Sequence, residues 1–189
     1  MSETASTTGT AIPFAPLPDQ MAARLRRAGV KQVNLYHALA HAPRLLEARI
    51  DFSWALREQC ETPHPLRELI ILRTARLTLS PYEWHRHRRM AAEAGVQEHR
   101  VAELAMWRTS PAFDAAERAA LAFTDALADG DVPDEVNAAL SEHFGLRARV
   151  ELTLTASFYF GVPRLLNALR VPVEVDPTPP GSAGARDQG

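Results

Sequence analysis

The sequence holds one cysteine, Cys60, among its 189 residues. An intramolecular disulfide is therefore excluded, and so is any Cys-x-x-Cys motif. A lone cysteine fits a reducing compartment, and the expected location is the cytoplasm. Lysine is almost missing too. Lys31 stands alone and arginine supplies the other positive charges, which reads as codon bias. The formal net charge is −2, so no excess of positive charge points to nucleic acid or to an anionic membrane surface. No apolar run approaches the ~20 residues that cross a bilayer. The first residues lack a basic start followed by an apolar stretch, so no signal peptide is expected.

What is present is ordinary globular usage, 46% hydrophobic and 23% charged. That suffices for one core and is short for two. Residues 1–18, rich in Ser, Thr, Ala and Pro, read as a flexible N-terminal tail, and 171–189 as a flexible C-terminal one. Between them, 19–170 reads as a single helical domain. Caps and breakers predict helices over 19–28, 32–40, 44–59, 65–79, 81–94, 97–107, 114–128, 133–144 and 146–169. Pro163 is expected to kink or split the last of these. No β-alternating run of strand length separates them. The fold class is all-α, a helical bundle.

The helix over 81–94 is the most informative segment. Ser80, Glu83, Trp84, His87, Met90, Ala91 and Ala94 recur with helical spacing on one face. Glu83 and His87 are i,i+4 neighbours whose side chains can meet. Arg86, Arg89 and Glu93 read as the solvated face. In the preceding helix, Glu68, Leu72, Ala75 and Leu79 form a stripe with one polar member. A carboxylate on an inward stripe needs a partner or a proton. The two helices are joined with almost no loop, so Glu68 is expected to face the Glu83–His87 pair.

Each residue also has a plainer role. Ser80-Pro81-Tyr82-Glu83 is a capping-box pattern with proline at the first helical position, so Ser80 and Glu83 both serve as caps. His87 reads equally as a hydrogen-bonded core histidine, and Glu68 as a first-turn partner of the helix dipole. His37 and His41 have a spacing that can hold zinc, but no third ligand is near, and no metal is expected. His85 and His87 splay to different faces. No cofactor motif is present and none is expected.

Taken together, these segments resemble the carboxymuconolactone decarboxylase and alkylhydroperoxidase D-like superfamily. The likeness is carried by Leu66-Arg67-Glu68-Leu69-Ile70-Ile71-Leu72-Arg73, by Tyr82-Glu83-Trp84-His85-Arg86-His87 with Ala91 and Gly95, and by Glu117-Arg118-Ala119-Ala120-Leu121. In the last helix, Tyr159-Phe160-Gly161-Val162-Pro163 and Asn167-Ala168-Leu169 resemble the decarboxylase branch. The likeness spans roughly residues 33–173. Redox-active relatives carry Cys-x-x-Cys-x-x-x-His with an upstream glutamate. The resemblance places that histidine on His87, the glutamate on Glu68, and the two cysteines on Ser80 and Glu83. Serine forms no disulfide and a carboxylate resolves no sulfenic acid, so the dithiol route to peroxide reduction is excluded. The decarboxylase branch is similar in lacking the cysteine pair and in placing a glutamate four residues before its histidine. It implies assembly into a homotrimer or homohexamer, with the pocket near subunit contacts.

The expected function is that of an acid–base lyase or isomerase acting on a small carbonyl, carboxylate or lactone. His87, Glu83 and Glu68 are the catalytic candidates. Tyr82, Trp84 and Tyr159 are candidate pocket walls, each also a plausible core residue. Arg164 is a candidate carboxylate anchor through its planar fork, with an ordinary surface arginine as the alternative. Two other classes stay open: a non-catalytic binding or assembly protein, and a peroxidase-like protein using Cys60. The expected partner is a small-molecule substrate, with neither nucleic acid nor membrane.

Overall fold

A computed structural model describes residues 11–172. Among these residues the protein has nine α-helices and no strand. They are α1 (Asp19–Arg27), α2 (Asn34–Leu39), α3 (Pro43–Glu58), α4 (His64–Leu77), α5 (Pro81–Glu93), α6 (Glu98–Glu103), α7 (Ala115–Asp129), α8 (Asp134–His143) and α9 (Leu146–Leu169). A short 3₁₀ turn, Leu104–Met106, follows α6. None of these helices is long and apolar enough to cross a membrane.

Helix α4 is the axis of the bundle. It packs against α5, α7 and α9, and nine of its residues, Leu66–Leu72, Thr74 and Ala75, are buried. Seven consecutive buried residues, Leu66–Leu72, take in every side of a helix, so this stretch is interior, with Arg67 and Glu68 as its charged members. Ile71 joins a cluster with α1, α2, α3 and α9. Leu69 and Leu72 join one with Ala91, Val101, Leu104 and Leu121. Leu66 and Ile70 join one with Phe123, Leu140, Leu152 and Phe160. The inward stripe read from the sequence is thus one side of a helix buried on all sides. Its last member, Leu79, is a correction. That residue is exposed and takes a left-handed conformation, φ 50°. The Leu79 amide donates to Arg76 and the Ser80 amide to Ala75. This is the helix stop usually made with glycine. It reverses the chain in three residues and lays α5 against α4.

One other expectation changes, and one is narrowed. The α-helix expected over 97–107 ends at Glu103 and tightens into the 3₁₀ turn Leu104–Met106, and arginine side chains satisfy carbonyls at this end. Arg73 Nη1 donates to the Leu104 carbonyl at 3.3 Å, and Arg118 Nη1 donates to the Trp107 and Arg108 carbonyls at 2.6 and 2.8 Å. Helix α9 is not split at Pro163. The proline leaves a carbonyl of the preceding turn without its amide donor, and Arg164 Nη1 donates to the Phe160 carbonyl at 2.6 Å within that same turn.

Of the expected tails, residues 1–10 and 173–189 lie outside the described residues. Residues 11–18 form no helix before α1 begins at Asp19, yet they are packed. The Ile12 amide donates to Leu169 and the Ala15 amide to His37, and Leu17 lies in the core. His37 Nδ1 pairs with the Ala15 carbonyl at 3.1 Å and His41 Nε2 with the Pro13 carbonyl at 2.7 Å. The pair that has zinc-like spacing instead anchors this segment.

A buried ion pair ties α4 to α7. Arg73 Nε and Nη2 donate to the two oxygens of Asp125 at 2.5 and 2.9 Å, and Trp107 Nε1 donates to Asp125 Oδ2 at 3.3 Å. Removing Asp125 would strand a buried guanidinium and an indole N–H. Asp125→Ala is expected to cost about 3 kcal/mol of unfolding free energy, measured by urea denaturation; a loss under ~1 kcal/mol would mean the pair is not an important tie.

Candidate functional site

The close packing of α4 on α5 decides what each polar side chain can reach. Ser80 caps α5, its Oγ accepting from the Glu83 amide at 3.3 Å. The reciprocal half of a capping box is not made here: the Ser80 amide donates to Ala75, while the Glu83 carboxyl turns along the helix to His87. Glu83 Oε2 lies 3.3 Å from His87 Nε2. A complete capping box exists elsewhere, between Asp114 and Glu117 at the start of α7. The sequence pattern at Ser80–Glu83 thus delivers one cap and one free carboxyl.

Glu68 completes the cluster from α4. Because α4 begins at His64, Glu68 lies in the second turn and is no first-turn partner of the dipole. Its Oε2 sits 2.9 Å from His87 Nδ1 and its Oε1 sits 3.3 Å from His64 Nε2. Glu68 is 1% exposed, Glu83 3% and His87 3%. The three residues expected to converge therefore meet in the interior, with both ring nitrogens facing carboxyl oxygens. Such a site favours the ring form with two N–H donors, the imidazolium. Burial opposes a charge on His87, but hydrogen bonds and negative charge from Glu68 and Glu83 outweigh it and raise its pKa above the ordinary 6.5. The Tyr159 ring stands edge-on to the imidazole, 4.8 Å between centroids and 84° between planes. Burial, and then the Glu83 charge, push the Tyr159 pKa up, so this residue offers a neutral O–H.

On its Glu83 side the cluster opens into a pocket of about 50 Å³. Tyr82, Glu83, Arg86 and His87 line it from α5, and Phe158, Tyr159 and Val162 from α9. Arg49, Ile50, Ser53 and Arg57 line it from α3, with Val33, Leu35 and Tyr36 closing it. The guanidinium of Arg49 lies over the Phe158 ring at 4.4 Å. Burial lowers the Arg49 pKa, with Glu83 acting against the shift. For Arg86, burial is outweighed by Tyr82, Tyr36 and Glu83, and the pKa rises.

Of the four residues expected to bind substrate, Tyr82 and Tyr159 line this pocket; Trp84 and Arg164 do not. Trp84 lies about 200° round the helix from Tyr82, beside the Arg76 guanidinium at 5.3 Å. Arg164 lies about 200° round α9 from Val162, is exposed, and donates to the Phe160 carbonyl. Arg86, read as part of a solvated face, is at the pocket instead. The sequence reading also passed over Arg49 and Arg57. Their signal was there: Arg49, Ser53 and Arg57 recur every four residues, one stripe of a helix. His64, four residues before Glu68, carried the same kind of signal.

The raised pKa of His87 has a definite pH signature. A group whose pKa rises on folding contributes stability below its unfolded value, about 6.5, and that contribution fades as pH climbs through the folded value. Nuclear magnetic resonance of the ¹⁵N-labelled His87 ring is expected to find it charged at pH 7 and titrating above ~6.5; titration below that value would refute the pairing described.

Residues 43–126 match the Carboxymuconolactone decarboxylase family. No curated protein matches the chain. Several solved structures share the fold. An uncharacterized peroxidase-related protein from Silicibacter sp. aligns at 20% identity and TM-score 0.75, over 92% of this chain and 95% of its own. A cysteine-to-alanine variant of the debrominase Bmp8, in complex with 2,3,4-tribromopyrrole, aligns at 20% identity and TM-score 0.75, over 88% and 93%. An alkylhydroperoxidase AhpD core protein from Ralstonia eutropha aligns at 20% identity and TM-score 0.72, over 88% and 94%. The family match lies on the helices that carry the site, and the solved structures share the fold around them, so the chain is similar to carboxymuconolactone decarboxylase and alkylhydroperoxidase D-like proteins.

Proposed function

We propose that the protein is an acid–base lyase or isomerase acting on a small carbonyl, carboxylate or lactone. The observation that carries this reading is the buried imidazole held between two carboxyl groups at the edge of an arginine-lined pocket. Loss of CO2 from a vinylogous carboxylate leaves a dienolate that must take a proton at carbon. His87, charged and facing the pocket with Glu83, supplies that proton from its Nε2 side, while Glu68 holds Nδ1 and fixes the ring. Arg49, Arg57 and Arg86 offer the planar forks that bind a substrate carboxylate. Arg164, which does not line the pocket, is not one of them. Tyr159, which lines the pocket, would donate its O–H to a developing enolate oxygen.

The peroxidase reading has little support. Cys60 lies in the loop between α3 and α4 and is not among the residues lining the pocket. Burial, and then Glu151, raise its thiol pKa, and the thiolate is the reactive form. The pocket, about 50 Å³, is far smaller than the several hundred Å³ of an ordinary ligand site, so a substrate would enter only with movement of its walls.

The protein is also proposed to form a homotrimer or homohexamer in the cytoplasm. On α9, Leu146, Val150 and Leu154 recur every four residues and are exposed. Such a stripe gains by contact with another copy. Light scattering is expected to give a multiple of three protomers at micromolar concentration; a monomer there would overturn the assembly.

For the chemistry, turnover of a panel of unsaturated lactone acids and β-keto acids is the test. His87→Ala is expected to lower turnover per folded molecule by ~10²–10⁴, and Glu83→Gln by less. Melting temperatures of the same preparations separate catalysis from stability. If turnover per folded molecule survives the loss of His87, the acid–base reading is wrong.

A further inference from the structure

Glu68 uses both of its oxygens, and only one of them serves the pocket residue His87. The other, Oε1, is 3.3 Å from His64 Nε2. The carboxyl group is sealed in the interior, whereas the His64 side chain is 45% exposed. Neither Glu68 nor His64 lines the pocket, while His87 and Glu83 do. A continuous line of hydrogen-bonding atoms therefore runs from solvent at the start of α4, through Glu68, to the imidazole. It arrives on the side away from the substrate.

His64 is held in place by more than its own helix. The loop before it is fastened to α9 by Glu151, which accepts from the Glu61 and Thr62 amides at 3.0 and 2.9 Å. Burial resists that carboxylate's charge, but those amides and the Arg147 side chain bring its pKa down to about 2. Arg67 donates to the Thr62 carbonyl and, at 2.8 Å, to the Arg57 carbonyl. Prolines flank His64 on both sides. The backbone that carries His64 is thus fixed relative to Glu68, which is what a proton path needs and a surface ion pair does not.

We propose that His64 is the proton-exchange residue of the site, linking buried His87 to solvent through Glu68. The charged His87 ring sheds its Nδ1 proton to Glu68 Oε2 and keeps the Nε2–H that faces the pocket. A half-turn of the carboxyl group presents that proton to His64 Nε2, and His64 releases one to water from its other nitrogen. Run in reverse, the same steps return a proton to Nδ1. Each transfer breaks one N–H or O–H bond and forms another, and charge is conserved throughout. The path stays open while a substrate fills the pocket and closes the Glu83 side.

The proposal rests on the acid–base reading of His87, but its test needs no substrate. Exchange of the His87 Nδ1 proton with water is followed by nuclear magnetic resonance on protein with ¹⁵N-labelled histidine. His64→Ala is expected to slow this exchange at least about tenfold, the scale of a positioned proton donor, and millimolar imidazole to restore it. His64→Gln keeps a hydrogen bond to Glu68 but carries no proton, so it is expected to be slow as well. His143→Gln, on exposed α8 surface, controls for histidine loss in general. Unchanged exchange in both His64 variants would overturn the proposal. So would normal exchange in His64→Gln alone, since that outcome assigns His64 a pairing role only. Circular dichroism of each variant establishes that the fold is retained. Failure here leaves the acid–base reading standing, with exchange through the pocket. Survival of turnover in His87→Ala would remove that reading and leave the exchange result intact.

Discussion

Two carboxyl groups and an imidazole share the protein interior, and none could remain there alone. Burying an unpaired charge costs far more than one contact returns. Glu68, Glu83 and His87 satisfy one another because their helices meet closely, and that closeness depends on the three-residue reversal at Leu79. The left-handed turn puts Leu79 in a conformation that costs roughly 1–2 kcal/mol for a residue with a Cβ. It brings α5 back along α4 so that position 68 faces position 87. The buried Arg73–Asp125 pair holds the other flank of α4 to α7. The site and its scaffold are thus one system of paired charges around a single interior helix.

The same arrangement governs the electrostatics of the pocket. With His87 charged, the cluster of two carboxyl groups and one imidazolium carries up to one net negative charge. Arg49, Arg57 and Arg86 stand on the pocket side of it. Their field favours an anionic ligand, while the carboxyl groups favour the charged form of the imidazole. A substrate carboxylate and a protonated imidazole can then occupy neighbouring space in a small, partly apolar cavity. That combination suits a reaction in which negative charge moves from a carboxylate to a carbon that is then protonated.

Much of this was legible in the sequence, and the parts that were not fail for definable reasons. Periodicity and caps located every helix, because Gly29, Gly95, Gly130 and the Ser80–Pro81 pair mark helix ends by chemistry that tertiary packing does not override. The i,i+4 relation of Glu83 and His87 exposed the core of the site. The pocket wall was less accessible. Trp84 looked inward because aromatic residues usually do, yet α5 has two buried sides and Trp84 joins the core cluster on the other one. Arg86 looked outward because arginines usually do, yet it shares the pocket wall with residues of α3 and α2. The facing of a helix buried on more than one side depends on which neighbours arrive, and those come from distant segments.

The superfamily resemblance gains physical content from Ser80 and Glu83. In a dithiol relative both positions would hold sulfur, with the histidine and upstream glutamate serving thiol deprotonation. Here the first position has become a helix cap and the second a carboxyl group directed at the imidazole. The frame that would tune a thiol now tunes the histidine itself. A serine at position 80 keeps the helix start intact, since its Oγ accepts from the Glu83 amide. A carboxyl at position 83 does what a cysteine could not: it holds Nε2 of a buried ring and favours its charge from the pocket side. Restoring two cysteines would therefore not simply restore a peroxidase. Glu83→Cys removes one of the two groups that hold the imidazolium, and Ser80→Cys weakens the cap that orients the helix. The chemistry of the site is set by the pairing of all four positions, 68, 80, 83 and 87, rather than by the presence or absence of a thiol alone.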